Sequence, residues 1–137
     1  MVTMMHESGR FPGLRVLLVE DNFLVATDLE WMLRELGCEV VGPVASVEEG
    51  VELATRERLD GAVLDVNITG GNSGAIARLL RSRHCPFFFV TGYASPAFDD
   101  VSFSRARRLR KPVDVLQLQD AIVAEFSTTS GNSTSRS

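Results

Sequence analysis

Three short stretches of the chain are apolar at consecutive positions: residues 16–19, residues 62–64 continuing to Val66, and residues 87–90. Unbroken apolar runs of this length suit strands buried on both faces, as in a parallel sheet covered by helices. The segments between them carry the other period. Val25, Leu29, Met32 and Leu36 recur at helical spacing, and Gly37 is placed to stop that helix. Residues 39–44 read as a second strand. Ser46 and Glu49 make a capping-box pair that opens a helix through Val47, Val51 and Ala54, and Ile76, Leu79 and Leu80 mark a third. The pattern weakens between Tyr93 and Ala106, where Ser95-Pro96 supplies an N-cap and first-turn proline for one short helix. Residues 108–111 read as a fifth, more polar strand. Asp114 with Gln117 then caps a last helix using Val115, Leu118, Ile122 and Phe126.

Five alternations of strand and helix, joined by right-handed crossovers, predict a three-layer α/β fold. It is a doubly wound, five-stranded parallel sheet in the flavodoxin-like order 2-1-3-4-5, with helices on both faces. Residues 14–126 hold this pattern. Residues 1–13 show no sustained periodicity and residues 127–137 are almost all small and polar, so a flexible N-terminal segment and a disordered Ser/Thr-rich tail are expected. The 137 residues leave room for one domain and predict no fused output domain. Fourteen Lys and Arg against 18 Asp and Glu give a net charge of −4, which speaks against a general nucleic-acid binder. With no stretch near the roughly 20 apolar residues of a membrane span and no secretory signal, the cytoplasm is the expected compartment. Cys38 and Cys85 are too few for a disulfide framework and are expected to be free, buried thiols.

Ligands of open parallel sheets bind beyond the carboxyl ends of the strands. Glu20 and Asp21 follow the first strand, Asp65 closes the third, Thr91 the fourth and Lys111 the fifth. Three carboxylates, a hydroxyl and an ammonium therefore converge in this fold. Crowded carboxylates resist ionisation unless a cation is present, and Mg²⁺, which links one or two carboxylates to a phosphate through hard oxygen ligands, fits the set. The Asn67 backbone carbonyl is a further oxygen donor. Asp65 then has the position of a nucleophile that accepts a phosphoryl group, with Lys111 neutralising charge on the transferred oxygens and Thr91 donating a hydrogen bond to one of them.

The segment VLLVEDN at residues 16–22, Asp65 at a strand end, Thr91-Gly92 and Lys111-Pro112 resemble the receiver domain of two-component response regulators. The resemblance spans residues 14–126. It implies Mg²⁺ held by Glu20, Asp21, Asp65 and the Asn67 carbonyl, and phosphorylation of Asp65 by a histidine kinase or phosphotransfer protein. It also implies contacts from Lys111 and Thr91 to the phosphoryl group, and a cis Lys111-Pro112 bond. The stretch PFFFVTGY at residues 86–93 is similar to the PFxFATGY signature of a largely stand-alone receiver subgroup, with Val90 where that signature has Ala. Receivers usually carry an aromatic switch residue three positions before the lysine; here that position is Arg108. The region with Pro96, Asp99 and Asp100 is also shorter and less helical than the family's usual fourth helix.

On this reading the chain is a single-domain response regulator. It signals by conformational change to a downstream protein, with homodimerisation open, or it drains phosphoryl groups from another pathway as a sink. Tyr93 and Asn67 are expected to flank the path of hydrolytic water. The basic run Arg105, Arg107, Arg108, Arg110 and Lys111 reads either as a charged sheet edge or as a docking face for an acidic partner. His6 and His84 are expected to be solvated. A rival is a haloacid dehalogenase-like phosphatase, since residues 65–69 resemble its DxDxT motif, but Asn67 replaces the general acid/base and the motif follows the third strand instead of the first. A flavin carrier of the same fold would find Glu20-Asp21 repelling its phosphate. A degenerate receiver acting only as a phosphorylation-independent interaction module is the remaining alternative.

Overall fold

The computed structural model describes residues 10–92 and 103–127. In chain order it holds β1 (Arg15–Val19), α1 (Phe23–Glu35), β2 (Glu39–Val44), α2 (Val47–Arg56), β3 (Gly61–Asp65), β4 (Asn67–Ile68), β5 (Gly71–Asn72), α3 (Gly74–Ser82), β6 (Phe87–Thr91), β7 (Arg108–Arg110) and α4 (Val115–Ile122). The last helix continues as a π-turn, Val123–Ser127. Five strands form one parallel sheet in the order β2-β1-β3-β6-β7. With β6 and β7 as its fourth and fifth members, this is the expected 2-1-3-4-5 arrangement. His6, Tyr93, the 95–102 region and residues 128–137 lie outside the described residues.

The consecutive apolar runs are explained by alternation across a sheet covered on both sides. Val16, Leu18, Val63, Phe88 and Val90 pack with Leu29 and Leu33 of α1 and Leu118 and Ile122 of α4. Their neighbours Leu17, Val19, Ala62, Leu64 and Phe89 pack on the opposite face with Ala54 of α2 and Ile76 and Leu80 of α3. Fully burying one such side chain contributes about 1.5–3 kcal/mol, so both layers anchor the strands whose ends carry the polar residues.

The helix ends follow their sequence signals with two differences. Gly37, at φ 96°, donates to Arg34 O while Cys38 donates to Leu33 O, the paired bonds of a Schellman stop. Asp114 and Gln117 form the reciprocal capping box. At α2 the Ser46 side chain caps the Glu49 amide, but Glu49 Oε1 takes the Ala45 N–H and the Ser46 hydroxyl instead of the Ser46 N–H, so the box closes one residue early. Val115, expected inside, is 38% exposed because it sits in the first turn of α4, beyond the reach of the sheet.

Two features have no counterpart in the pattern reading. Residues 67–72 fold back as the antiparallel pair β4–β5, and Thr69 bridges to Ser46. The N-terminal boundary also moves outward. Phe11 packs on the α1–α4 layer and its N–H donates to Leu36 O, so residues 11–13 are docked instead of loose. The peptide bonds Gly42-Pro43 and Lys111-Pro112 are both cis. Cys38 and Cys85 are free and buried, as expected, and burial pushes their thiols up to about 12 and about 11. β7 is an edge strand whose Arg108 and Arg110 are exposed on either side of buried Leu109, consistent with a charged edge.

Candidate functional site

The carboxyl ends of β1, β3, β6 and β7 deliver their polar residues to one place. Chain direction changes as β1 gives way to α1, and Asn22 makes the turn by capping the Leu24 and Val25 amides. Glu20 is caught in that turn. Its backbone N–H donates to Val44 O of β2, its Oε2 accepts the Asn22 N–H at 3.0 Å, and its Oε1 lies 2.9 Å from Lys111 Nζ. Only 3% of Glu20 is exposed. Asp65, the last residue of β3, is 5% exposed and pairs in register with Val90. Its Oδ1 lies 3.4 Å from the same ammonium.

Asp21 is exposed, and one oxygen from each of Glu20, Asp21 and Asp65 falls within 4.8 Å of the others. The expected three-carboxylate convergence is therefore present. Lys111 is held by its own N–H, which donates to Thr91 O and ties the end of β7 to the end of β6. Among the described residues, the half-buried Thr91 hydroxyl donates to the Gly92 carbonyl, at 3.4 Å. Asn67, at the start of β4, is exposed two positions beyond Asp65. Tyr93 falls outside the described residues.

The electrostatics are unbalanced: the Lys111 ammonium serves both buried acids, Glu20 and Asp65, and exposed Asp21 lies beside them. Burial, then the neighbouring Glu20 charge, push the Asp65 carboxyl up to about 7 against the opposing pull of Lys111. Burial alone would lower the Lys111 ammonium, but its hydrogen bond to Glu20 and the charges of Asp65 and Glu20 together hold it above its ordinary range. A hard divalent cation held here would offset the part of the Asp65 rise that comes from the Glu20 charge.

Sequence reasoning placed Lys111 against Asp65 and a phosphoryl group, and did not anticipate that Glu20 is its nearer partner. It also gave Asn22 no role of its own. The signal for Asn22 was available, an Asn directly before an apolar helical period. An apolar cavity of about 300 Å³ beside Lys111, lined by Val25, Leu29, Met32 and Val113, could not be read from the sequence, because its walls come from separate segments.

The model of the response regulator receiver domain family matches residues 16–123. The chain belongs to the receiver domain family. Receiver domains are phosphoacceptors of two-component signalling that bind Mg²⁺ at an acidic pocket and interact with histidine kinases or phosphotransfer proteins. Among relatives, this receiver is 35% identical over 81 residues to the phyllosphere-induced regulator PhyR of Methylorubrum extorquens, a match covering 57% of this chain and 30% of PhyR. The chain spans less than half the length of the curated relatives it matches. Among solved structures, SdrG from Sphingomonas melonis Fr1 is 34% identical with a TM-score of 0.74, covering 82% of this chain and 95% of that one. The receiver domain of the sensor histidine kinase PA1611 from Pseudomonas aeruginosa, solved with magnesium coordinated in its active-site cleft, is 28% identical with a TM-score of 0.68. That match covers 84% of this chain and 98% of the other.

Proposed function

We propose that this receiver accepts a phosphoryl group on Asp65 from a phosphohistidine of a histidine kinase or phosphotransfer protein, and that the modified domain signals by a change of conformation. The observation that supports this most is the buried Asp65 carboxylate at a strand end, 3.4 Å from Lys111 and within 4.8 Å of two further carboxylates. Mg²⁺ would be held by Glu20, Asp21, Asp65 and the Asn67 backbone carbonyl, a donor set that fits a hard cation, and would supply positive charge against the carboxylates and the transferred oxygens.

The chain's own residues then divide the work. A carboxylate oxygen of Asp65 forms the new O–P bond as the N–P bond to the donor imidazole breaks, the electron pair of that bond leaving with the imidazole. Lys111, already bridging Glu20 and Asp65, turns its ammonium to the phosphoryl oxygens. Thr91 exchanges its long contact with the Gly92 carbonyl for a phosphoryl oxygen. Two charge-assisted hydrogen bonds contribute roughly 3–6 kcal/mol together, which brackets the about 5.5 kcal/mol that moves a two-state equilibrium from 1:99 to 99:1. The phosphodonor would meet an apolar rim. Phe23, Leu24 and Leu116 are 78%, 73% and 64% exposed and lie close in sequence to Asp21 and Lys111.

Intact mass after incubation with Mg²⁺ and a small phosphodonor tests the reading. One phosphoryl group is expected, absent in chelator and absent in Asp65→Ala. An adduct that persists in Asp65→Ala overturns Asp65 as the acceptor, and none from either a small donor or a kinase overturns the reading in favour of a phosphorylation-independent interaction module.

A further inference from the structure

β1 and β2 do not run in constant register: Leu17 pairs with Val41 but Val19 pairs with Val44, so β2 carries one residue more across this stretch. The extra residue falls at Gly42-Pro43. Gly42, at φ 100°, lies where an added Cβ would stand 2.9 Å from Leu18 O, so only glycine fits. The consequence of this bulge is alignment. Val44 O meets the Glu20 N–H at 2.9 Å, Ala45 O accepts the Thr69 N–H at 3.2 Å, and Thr69 O accepts the Val47 N–H at 3.0 Å. Consecutive backbone groups at the end of β2 therefore grip both walls of the acidic site, Glu20 on one side and the β4–β5 hairpin that follows Asp65 on the other.

The grip continues into a helix. Val47 is the first residue of α2, and the Ser46 and Glu49 side chains bind each other and the Ala45 and Glu49 amides around it. α2 sits tightly on α3: a Cβ at Gly50 would collide with the Ile76 side chain, and Arg83 at the end of α3 donates to the Ala54 carbonyl. On the other side of the site, the position usually held by a switch aromatic is exposed Arg108, whose guanidinium lies 5.7 Å from the Phe89 ring centroid.

We infer that the β2–α2 junction is a coupling element: a change at the Asp65 site displaces the Asn67–Asn72 hairpin, and the Thr69–Ala45 and Thr69–Val47 bonds carry that displacement to the N-terminus of α2. The inference rests on the phosphoacceptor reading of Asp65. Coupling of this kind requires an element that both sites bias, and the bonded hairpin is that element.

The test follows amide resonances of the ¹⁵N-labelled full chain during titration with Mg²⁺, then with Mg²⁺ and beryllofluoride. Val66 reports the site, Thr69 the hairpin, and Glu49 and Gly50 the helix. All four are expected to shift with one midpoint. In Val47→Pro/Thr69→Pro, which removes both N–H donors of the bridge, Val66 still shifts and the responses of Glu49 and Gly50 are lost. Both prolines suit their places. Val47 is a first helical position preceded by Ser46 at φ −129°, ψ 161°, and Thr69 precedes Gly70 at φ 94°, the order of a type II turn. Should the double variant not fold, Val47→Pro alone is expected to weaken the Glu49 and Gly50 shifts without weakening that of Val66. A responsive Val66 with silent Glu49 and Gly50 in the unmodified chain, or unchanged responses in the variants, defeats this inference alone. A silent Val66 in the unmodified chain defeats the phosphoacceptor reading and the inference with it.

Discussion

The two ends of the sheet handle charge in opposite ways. At the amino ends of the strands, Arg15 sends its guanidinium to Glu39 at 2.7 Å, Glu57 at 2.8 Å and the Arg58 carbonyl at 2.8 Å, while its backbone N–H meets Asp60. Arg56 and Arg58 add further pairs to Glu57 and Asp60. A planar fork reaches several acceptors at once, and the acids there are balanced by nearby arginines. At the carboxyl ends, three acids lie together, and the two buried ones, Glu20 and Asp65, share the Lys111 ammonium. The first arrangement is complete and stabilises the fold. The second leaves negative charge in excess, and under the proposed function that excess is what an arriving cation would neutralise before phosphoryl transfer.

Removing the Lys111 cation at the functional end is expected to have the largest effect on transfer. Lys111→Met deletes one charge-assisted hydrogen bond to the transferred oxygens, and phosphoryl incorporation into Asp65, followed by intact mass over time, should slow on the order of 10- to 100-fold. The corresponding change at the other end has the opposite profile. Arg15→Met should cost about 1–3 kcal/mol in urea denaturation, because half-buried Glu57 loses its hydrogen bond to the guanidinium along with those to Glu39 and the Arg58 carbonyl, while the backbone bond to Asp60 is kept and incorporation per folded molecule stays unchanged. A slower transfer in Arg15→Met would erase the contrast between the two ends.

The same contrast decides what was legible in the sequence. The strands beneath the site, the residues at their carboxyl ends and the caps at Gly37 and Asp114 all follow from local pattern, since each depends on residues a few positions apart. The Arg15 hub does not. It joins residues 15, 39, 57, 58 and 60, and nothing in the run of arginines and glutamates says which ones meet. The β4–β5 hairpin escaped for a different reason. Its strands have two residues each and are rich in Gly and Asn, too short for any alternation to register, and their hold on Ala45 and Val47 is backbone bonding that leaves no side-chain trace. Arg108 was visible as a departure from the family pattern, but its position over Phe89 required the β6–β7 register.

A smaller effect is expected from pH. Asp65 titrates near the ordinary carboxyl value of 3.8 when unfolded and at about 7 when folded, so the native state holds the extra proton in between. Stability contributed by this group is present below pH 3.8 and is lost as pH rises toward and through 7. In chelator, the stability difference between the unmodified chain and Asp65→Asn should therefore decline from pH 5 to pH 8, and Mg²⁺ should flatten the decline because it favours the ionised form. A difference that rises with pH in chelator would show that Lys111 outweighs burial and Glu20.

The weakest expected effect lies at the balanced end, and it sets the scale for the rest. Arg56 and Glu52 form an i,i+4 pair at 2.7 Å, shorter than either Lys111 contact, yet their side chains are 57% and 63% exposed. Water screens both groups before they meet, so Glu52→Gln should cost only about 0.3–0.5 kcal/mol, shrinking further in 0.5 M salt. Lys111, with longer contacts to two nearly enclosed carboxylates, should lose far less of its effect in the same salt. Equal salt sensitivity in urea denaturation of Glu52→Gln and Lys111→Met would mean that the carboxyl-end cluster is solvated like the surface, and that enclosure is not what makes its charge imbalance useful.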